Sequence, residues 1–215
     1  MNKGFWVTFE GGEGSGKTTV INALEKKLIS EGRDVLVTRE PGGVPIGEKI
    51  RELILSFDSE GMDARTEALL FAASRRQHLV DKVIPALERG TIIIMDRYVD
   101  SSLAYQGYAR GIGVEEVLSL NHFATEGYQP DLVIFIDVVP ELGLSRIDQD
   151  HREYNRLDAE SMNFHHEVRK GYLELAKNKR RMTIIDGDVS IDQLIDEVIT
   201  LVSVHLHHYE EALHG

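Results

Sequence analysis

At 215 residues, with 42% hydrophobic and 28% charged residues, the chain is sized for one compact α/β domain with an ample core. Its formal charge of −12 repels a phosphate backbone over long range, which argues against nucleic-acid binding but leaves room for a nucleotide pocket governed by a few clustered cations. The absence of cysteine excludes disulfides and thiolate metal sites, and no run approaches the ~20 apolar residues of a membrane span, so a soluble cytoplasmic protein without a leader is expected.

Short apolar runs alternate with longer stretches of helical periodicity. Phe5–Glu10 predicts the first strand, and Lys17–Ser30 a helix with Val20, Ile21, Leu24 and Leu28 on one face and Gly32 as its stop. Asp34–Thr38 predicts a second strand. A helix over Thr66–Arg89 ends at Gly90, and Thr91–Asp96 is a third strand. Val114–Glu126, stopped by Gly127, is helical, and Leu132–Asp137 is a fourth strand. The helix Ser161–Lys177, the strand Met182–Asp186 and the helix Ile191–His208, capped by Ser190, complete the series. This alternation predicts a five-stranded parallel sheet with helices on both faces, and ligands beyond the carboxyl ends of its strands.

The first such end carries Gly11-Gly12-Glu13-Gly14-Ser15-Gly16-Lys17-Thr18, followed by Thr19. This is G-x-x-x-x-G-K-[ST] between a strand and a helix, the pattern of an ATP-binding phosphate loop. Its glycines let successive N–H groups turn toward phosphate oxygens, and the positive end of the following helix adds to that field. Lys17 is expected to bridge the β- and γ-phosphates, and Thr18 to offer its hydroxyl to Mg²⁺. The third strand ends on Asp96-Arg97-Tyr98. A carboxylate there suits a metal ion and its waters, and an adjacent arginine can fork two N–H groups onto a phosphate. No Asn-Lys-x-Asp motif is present, so a GTP-dependent switch is the less favoured class. His165, His166, His205, His207 and His208 lack partners at ligand spacing and read as solvated or packed side chains.

Together with these motifs, Thr38–Gly43, Glu67–Arg75, Asp96–Tyr108, Pro130-Asp131 and Asn155–Asp158 make the chain resemble the bacterial thymidylate kinases over about residues 5 to 190. The resemblance implies a P-loop nucleoside-monophosphate kinase fold, ATP as donor, dTMP as acceptor, Mg²⁺, a mobile lid and a homodimer. It also implies that Phe71 stacks on thymine and that Arg75, Ser102 and Gln106 meet the base edge. Tyr105 then crowds the 2′ carbon, Glu13 accepts from the 3′-hydroxyl, and Arg51 and Arg97 hold the acceptor's phosphate. Glu40 and Ser101 fall among the substrate positions. By residue pattern alone, Phe71 reads as helix core with Leu69 and Leu70 in preference to a ligand contact, and Arg51 reads equally as a solvated arginine.

Members of that family differ in where they keep an additional arginine. The phosphate loop here has none at positions 12–15, whereas the polar stretch of residues 146–156 holds Arg146, Arg152 and Arg156. A lid over about residues 146–158 is expected, with Arg152 and Arg156 as the catalytic cations and Arg146 as a brace for the preceding helix. A kinase for another monophosphate or for a deoxynucleoside is the alternative. A nucleoside kinase, however, needs a carboxylate base, whereas Arg51, Arg75 and Arg97 suit an acceptor that is already anionic.

Overall fold

The computed structural model describes residues 4–149, 154–178 and 182–214. Five parallel strands form one sheet in the order β2-β3-β1-β4-β5: β1 Trp6–Glu10, β2 Val35–Arg39, β3 Ile92–Asp96, β4 Leu132–Asp137 and β5 Met182–Asp186. Each lies within a residue of the run that predicts it. Side chains alternate across the sheet, as strands require. Phe5, Val7, Phe9, Ile92, Ile94, Ile134 and Ile136 face α1 (Lys17–Ser30) and α9 (Ile191–His214). Trp6, Ile93 and Met95 face the opposite side with Leu79, Val83 and Leu87, while Val133 and Phe135 meet Phe164, Val168 and Tyr172 of α8 (Met162–Asn178). The helix α9 runs six residues beyond the expected His208, and its start is a reciprocal cap in which Ser190 and Gln193 exchange hydrogen bonds.

Three further helical segments differ from the sequence expectation. Residues 45–55 form α2, and Pro45 opens it, where a missing N–H costs nothing. The expected Thr66–Arg89 helix is α3 (Ala64–His78), a π-helical turn Leu79–Val83 and α4 (Ile84–Glu88). Pro85 accounts for the break, since it donates no N–H and its ring crowds the carbonyl four residues back, which a wider turn relieves. The expected start at Thr66 missed the cap Asp63, whose carboxylate accepts from the N–H groups of Arg65 and Thr66. After β3 the chain forms α5 (Val99–Ser102) and a second π-helical segment, Leu103–Ala109. There the sequence alone offers a string of polar site residues and no clean period. α6 (Val114–Thr125) follows, and α7 (Pro140–Gln149) takes up Arg146, so the polar segment ahead of α8 begins later than expected.

The connection after β1 crosses to β2 on one side and that after its neighbour β3 crosses to β4 on the other, so a crevice opens between the carboxyl ends of β1 and β3. The phosphate loop sits in that crevice, and β3 delivers Asp96 and Arg97 to the same edge.

Candidate active site

A cavity of about 470 Å³ opens at this edge. One side is phosphate loop, from Glu13 to Thr19. Gly14 and Gly16 take positive φ angles of 64° and 92°, which turn the loop backbone around the space a phosphate would fill. The Lys17 ammonium lies under the loop, donating to the Gly11 carbonyl at 3.2 Å, the Gly12 carbonyl at 2.9 Å and Ser15 Oγ at 3.2 Å. Burial, followed by the Arg97 charge, lowers its pKa from 10.5 to about 8. The loop also packs backbone to backbone on α7. A Cβ on Gly14 would stand 1.9 Å from the Gly143 carbonyl, and one on Gly143 would stand 2.2 Å from the Glu13 carbonyl.

Asp96 and Thr18 line the same cavity. Asp96 Oδ1 is buried and has no hydrogen-bond partner among the described residues. An orphaned carboxylate oxygen is costly unless something cationic or hydrated meets it. A carboxylate and a hydroxyl beside a phosphate loop fit Mg²⁺, which keeps most of its waters and takes few protein ligands. Among the described residues no group of three or more His, Cys, Asp or Glu side chains is placed to hold a metal ion.

The opposite wall is built on Arg97. Its backbone φ of 68° is unusual for a residue with a side chain, and its N–H is fixed by the Phe9 carbonyl. The guanidinium donates to Glu13 Oε1 at 2.8 Å, and to Ser101 Oγ and Tyr172 Oη at 3.2 and 3.3 Å. Burial works against its charge, but Glu13, Tyr105, Tyr172 and Asp96 together outweigh it and hold the arginine firmly protonated. The Tyr105 phenol donates to the same Glu13 oxygen at 3.0 Å, and burial pushes its own pKa far up, so it stays a donor. Behind this layer lies Glu10, fully buried at the end of β1, which accepts from the Tyr98 N–H, Ser101 and Tyr172. Burial and then Asp100 raise its pKa. Glu10 and Tyr172 were not among the expected site residues. Glu10 reads as the last residue of a strand, and Tyr172 lies 75 residues from Arg97 within an ordinary amphipathic helix.

Arg51 reaches the cavity from α2 and donates to the Pro41 carbonyl at 3.1 Å. Burial and then Arg39 lower its pKa, so two guanidinium groups crowd one place. Arg39, also absent from the expected set, lines the cavity while paired with Glu48. Phe71, half-buried, lies on the cavity wall, whereas its neighbour Leu69 is exposed. The π-helical segment contributes Tyr105 and Gln106, and α5 contributes Ser101 and Ser102, all four along one wall.

Two expected arginines stand elsewhere. Arg75 is fully buried and donates to Glu40, Ser102, Asn121 and the Tyr98 carbonyl, so four of its five N–H groups are engaged inside the protein. It braces the wall through Ser102 rather than forming it. Glu40 lines the cavity, though its carboxylate is committed to Arg75 and His78. Arg156, expected to face the γ-phosphate, points away from the cavity. Its Nε donates to the Ile54 carbonyl at the end of α2, and its Nη2 to Glu67 at 2.5 Å. The buried acidic side chain of Glu67 explains this placement, and nothing in the local sequence signals it. Arg146 lines the cavity from α7 and holds the Gly187 carbonyl with both terminal nitrogens. Arg152 lies outside the described residues.

The family model described as thymidylate kinase matches residues 9–198. The thymidylate kinase of Clostridium novyi (strain NT) is 52% identical over 200 residues, covering 92% of this chain and 98% of its own. That of Geobacillus thermodenitrificans (strain NG80-2) is 54% identical over 201 residues, covering 93% and 89%. The crystal structure of thymidylate kinase from Ehrlichia chaffeensis superposes with a TM-score of 0.75 at 33% identity, over 93% of this chain and 98% of that one. With a family match across most of its length and relatives at half identity over nearly all of it, the chain belongs to the thymidylate kinase family.

Proposed function

We propose the following division of labour for the ATP-dependent conversion of dTMP to dTDP that this family carries out. The observation that carries it is one cavity lined both by the phosphate loop and by Arg51, Arg97, Phe71, Ser102, Tyr105 and Gln106. ATP binds along residues 11–19, its phosphates held by loop N–H groups and by the start of α1. Lys17, held beneath the loop, then exchanges its carbonyl partners for the β- and γ-phosphate oxygens. The Thr18 hydroxyl and the Asp96 carboxylate would hold Mg²⁺, which when bound would supply positive charge against those phosphate oxygens.

dTMP enters from the other wall. Arg97 and Arg51 grip its phosphate, Phe71 stacks on the base, and Ser102 and Gln106 meet the base edge. Tyr105 fills the space where a 2′-hydroxyl would stand. Glu13, fixed by Arg97 and Tyr105, accepts from the 3′-hydroxyl. The acceptor oxygen is already anionic, so no general base is required, and the arginines offset the repulsion between two polyanions. Arg152 supplies a further cation from the lid, a reading supported by the absence of arginine from the phosphate loop. For Arg156 the contacts with Glu67 and α2 favour a seat for the lid over direct contact with the reacting phosphate.

A homodimer in the cytoplasm completes the reading. Exposed Leu69 and Val80 near α3, and Leu118 and Phe123 on α6, support the dimer, since α3 and α6 pack together and a second copy could cover them. No helix among the described residues is long and apolar enough to cross a membrane. Turnover of ATP across a panel of nucleoside monophosphates tests the acceptor assignment. dTMP is the expected best substrate and dUMP a slower one, because one methyl is worth only about 1–3 kcal/mol. AMP, CMP or GMP outrunning dTMP would refute it.

A further inference from the structure

Glu67 lies behind the base wall, 1% exposed, and it is not part of the cavity lining. Its carboxylate collects four hydrogen bonds from three side chains. Oε1 accepts from Gln106 Nε2 at 3.0 Å and Arg110 Nε at 3.2 Å, and Oε2 accepts from Arg110 Nη2 at 3.2 Å and Arg156 Nη2 at 2.5 Å. Arg110 is itself anchored by Glu160 and lies 4.4 Å over the Phe164 ring. Burial alone would raise the Glu67 pKa, but the bonds from Arg110, Arg156 and Gln106 outweigh it and hold the pKa below the ordinary value.

An ionised carboxylate only accepts, so Gln106 must present its NH₂ end to Glu67. Gln106 also lines the cavity, so with Nε2 committed to Glu67 its carbonyl Oε1 is the polar group it has left to offer a ligand. We propose that Glu67 is a positioning residue for base selection, fixing the Gln106 amide so that the pocket offers an acceptor to the base. An acceptor there matches the N3–H of thymine or uracil and opposes the N3 lone pair of cytosine. Without a fixed partner, the amide could turn over and offer NH₂ to cytosine instead. The same carboxylate holds Arg156, so the segment ahead of α8 and the base wall share one anchor. This inference rests on the assignment of Gln106 to the base edge.

The test measures kcat/KM for dTMP and dCMP in the full chain, together with thermal unfolding. Glu67→Gln is expected to lower the dTMP-to-dCMP ratio by about tenfold or more, the worth of one hydrogen bond made with a fixed group. Glu67→Asp keeps the ion pairs and draws the carboxylate back from Gln106, so it should also lower the ratio and covers the case in which Glu67→Gln fails to fold. Gln106→Leu should lower the ratio as well, and adding Glu67→Asp to it should produce no further fall. A Glu67→Asp enzyme that loses melting temperature, or loses kcat/KM equally for both substrates, with its ratio intact, overturns the proposal. A further fall in the double variant overturns it too. An unchanged ratio in Gln106→Leu shows instead that the base-edge assignment itself is wrong.

Discussion

Proton uptake on ATP binding offers a direct reading of Lys17. In the free protein its ammonium is buried against three oxygens and beside Arg97, and its pKa stands at about 8 rather than 10.5. At about pH 9 roughly nine-tenths of it is therefore neutral. ATP, whose phosphates are fully ionised there, brings negative charge to the loop and should restore the ordinary pKa or exceed it. Binding at that pH should then take up about 0.9 proton per site, against about 0.1 near pH 7. Calorimetry in buffers of different ionisation enthalpy, without Mg²⁺ so that the metal adds no protons, measures this number. Lys17→Met should abolish the uptake at pH 9. The same linkage acts on stability with a definite sign. Because the folded pKa is depressed, the unfolded chain binds more protons between about pH 8 and 10.5, and stability contributed by this site rises with pH across that window. The full difference is about 3 kcal/mol, which Lys17→Met should gain at neutral pH apart from its packing. No proton uptake at pH 9, or equal uptake in Lys17→Met, refutes the claim that the lysine waits beneath the loop in a strained charge state.

Other predictions address single contacts. Lys17→Ala should lower kcat by about two or more powers of ten while the protein stays folded, as judged by circular dichroism. Arg97→Ala should raise KM for dTMP and lower kcat together, since its guanidinium both holds Glu13 and faces the acceptor; a change in neither constant removes it from the site. Arg152→Ala should lower kcat by about 10³-fold with little change in KM for dTMP, and wild-type kcat would return the transition-state charge to other groups. Tyr105→Phe removes the phenol that holds the Glu13 carboxylate and should raise KM for dTMP about tenfold, measured in steady state. Gly143→Ala forces a Cβ against the Glu13 carbonyl, so it should cost about 1–3 kcal/mol of stability and raise KM for ATP; an unperturbed melting curve would deny the close approach of α7 to the loop.

The sequence by itself determines the sheet and its ligand edge. Strands buried on both faces must be short apolar runs, and each of the five falls within a residue of its run. The phosphate loop is equally local, because its glycines, Lys17 and Thr18 act through the backbone that follows β1. The same holds for Asp96 and Arg97, which gain their place from the strand they end. Tertiary structure decides the rest. Pro85 is visible in the sequence, but whether it ends a helix or widens one turn depends on the core that Leu79 and Val83 must fill. Arg75 and Arg156 have the same chemistry as Arg97, yet buried carboxylates at Glu40 and Glu67 draw them away from the cavity. Those carboxylates lie 35 and 89 residues distant in the chain, beyond any local pattern. Glu10 and Tyr172 likewise join the site only when β1 and α8 meet. A charge can be counted in a sequence, but its partner is chosen by packing, because burial makes an unpaired ion too costly and the nearest opposite charge in space claims it.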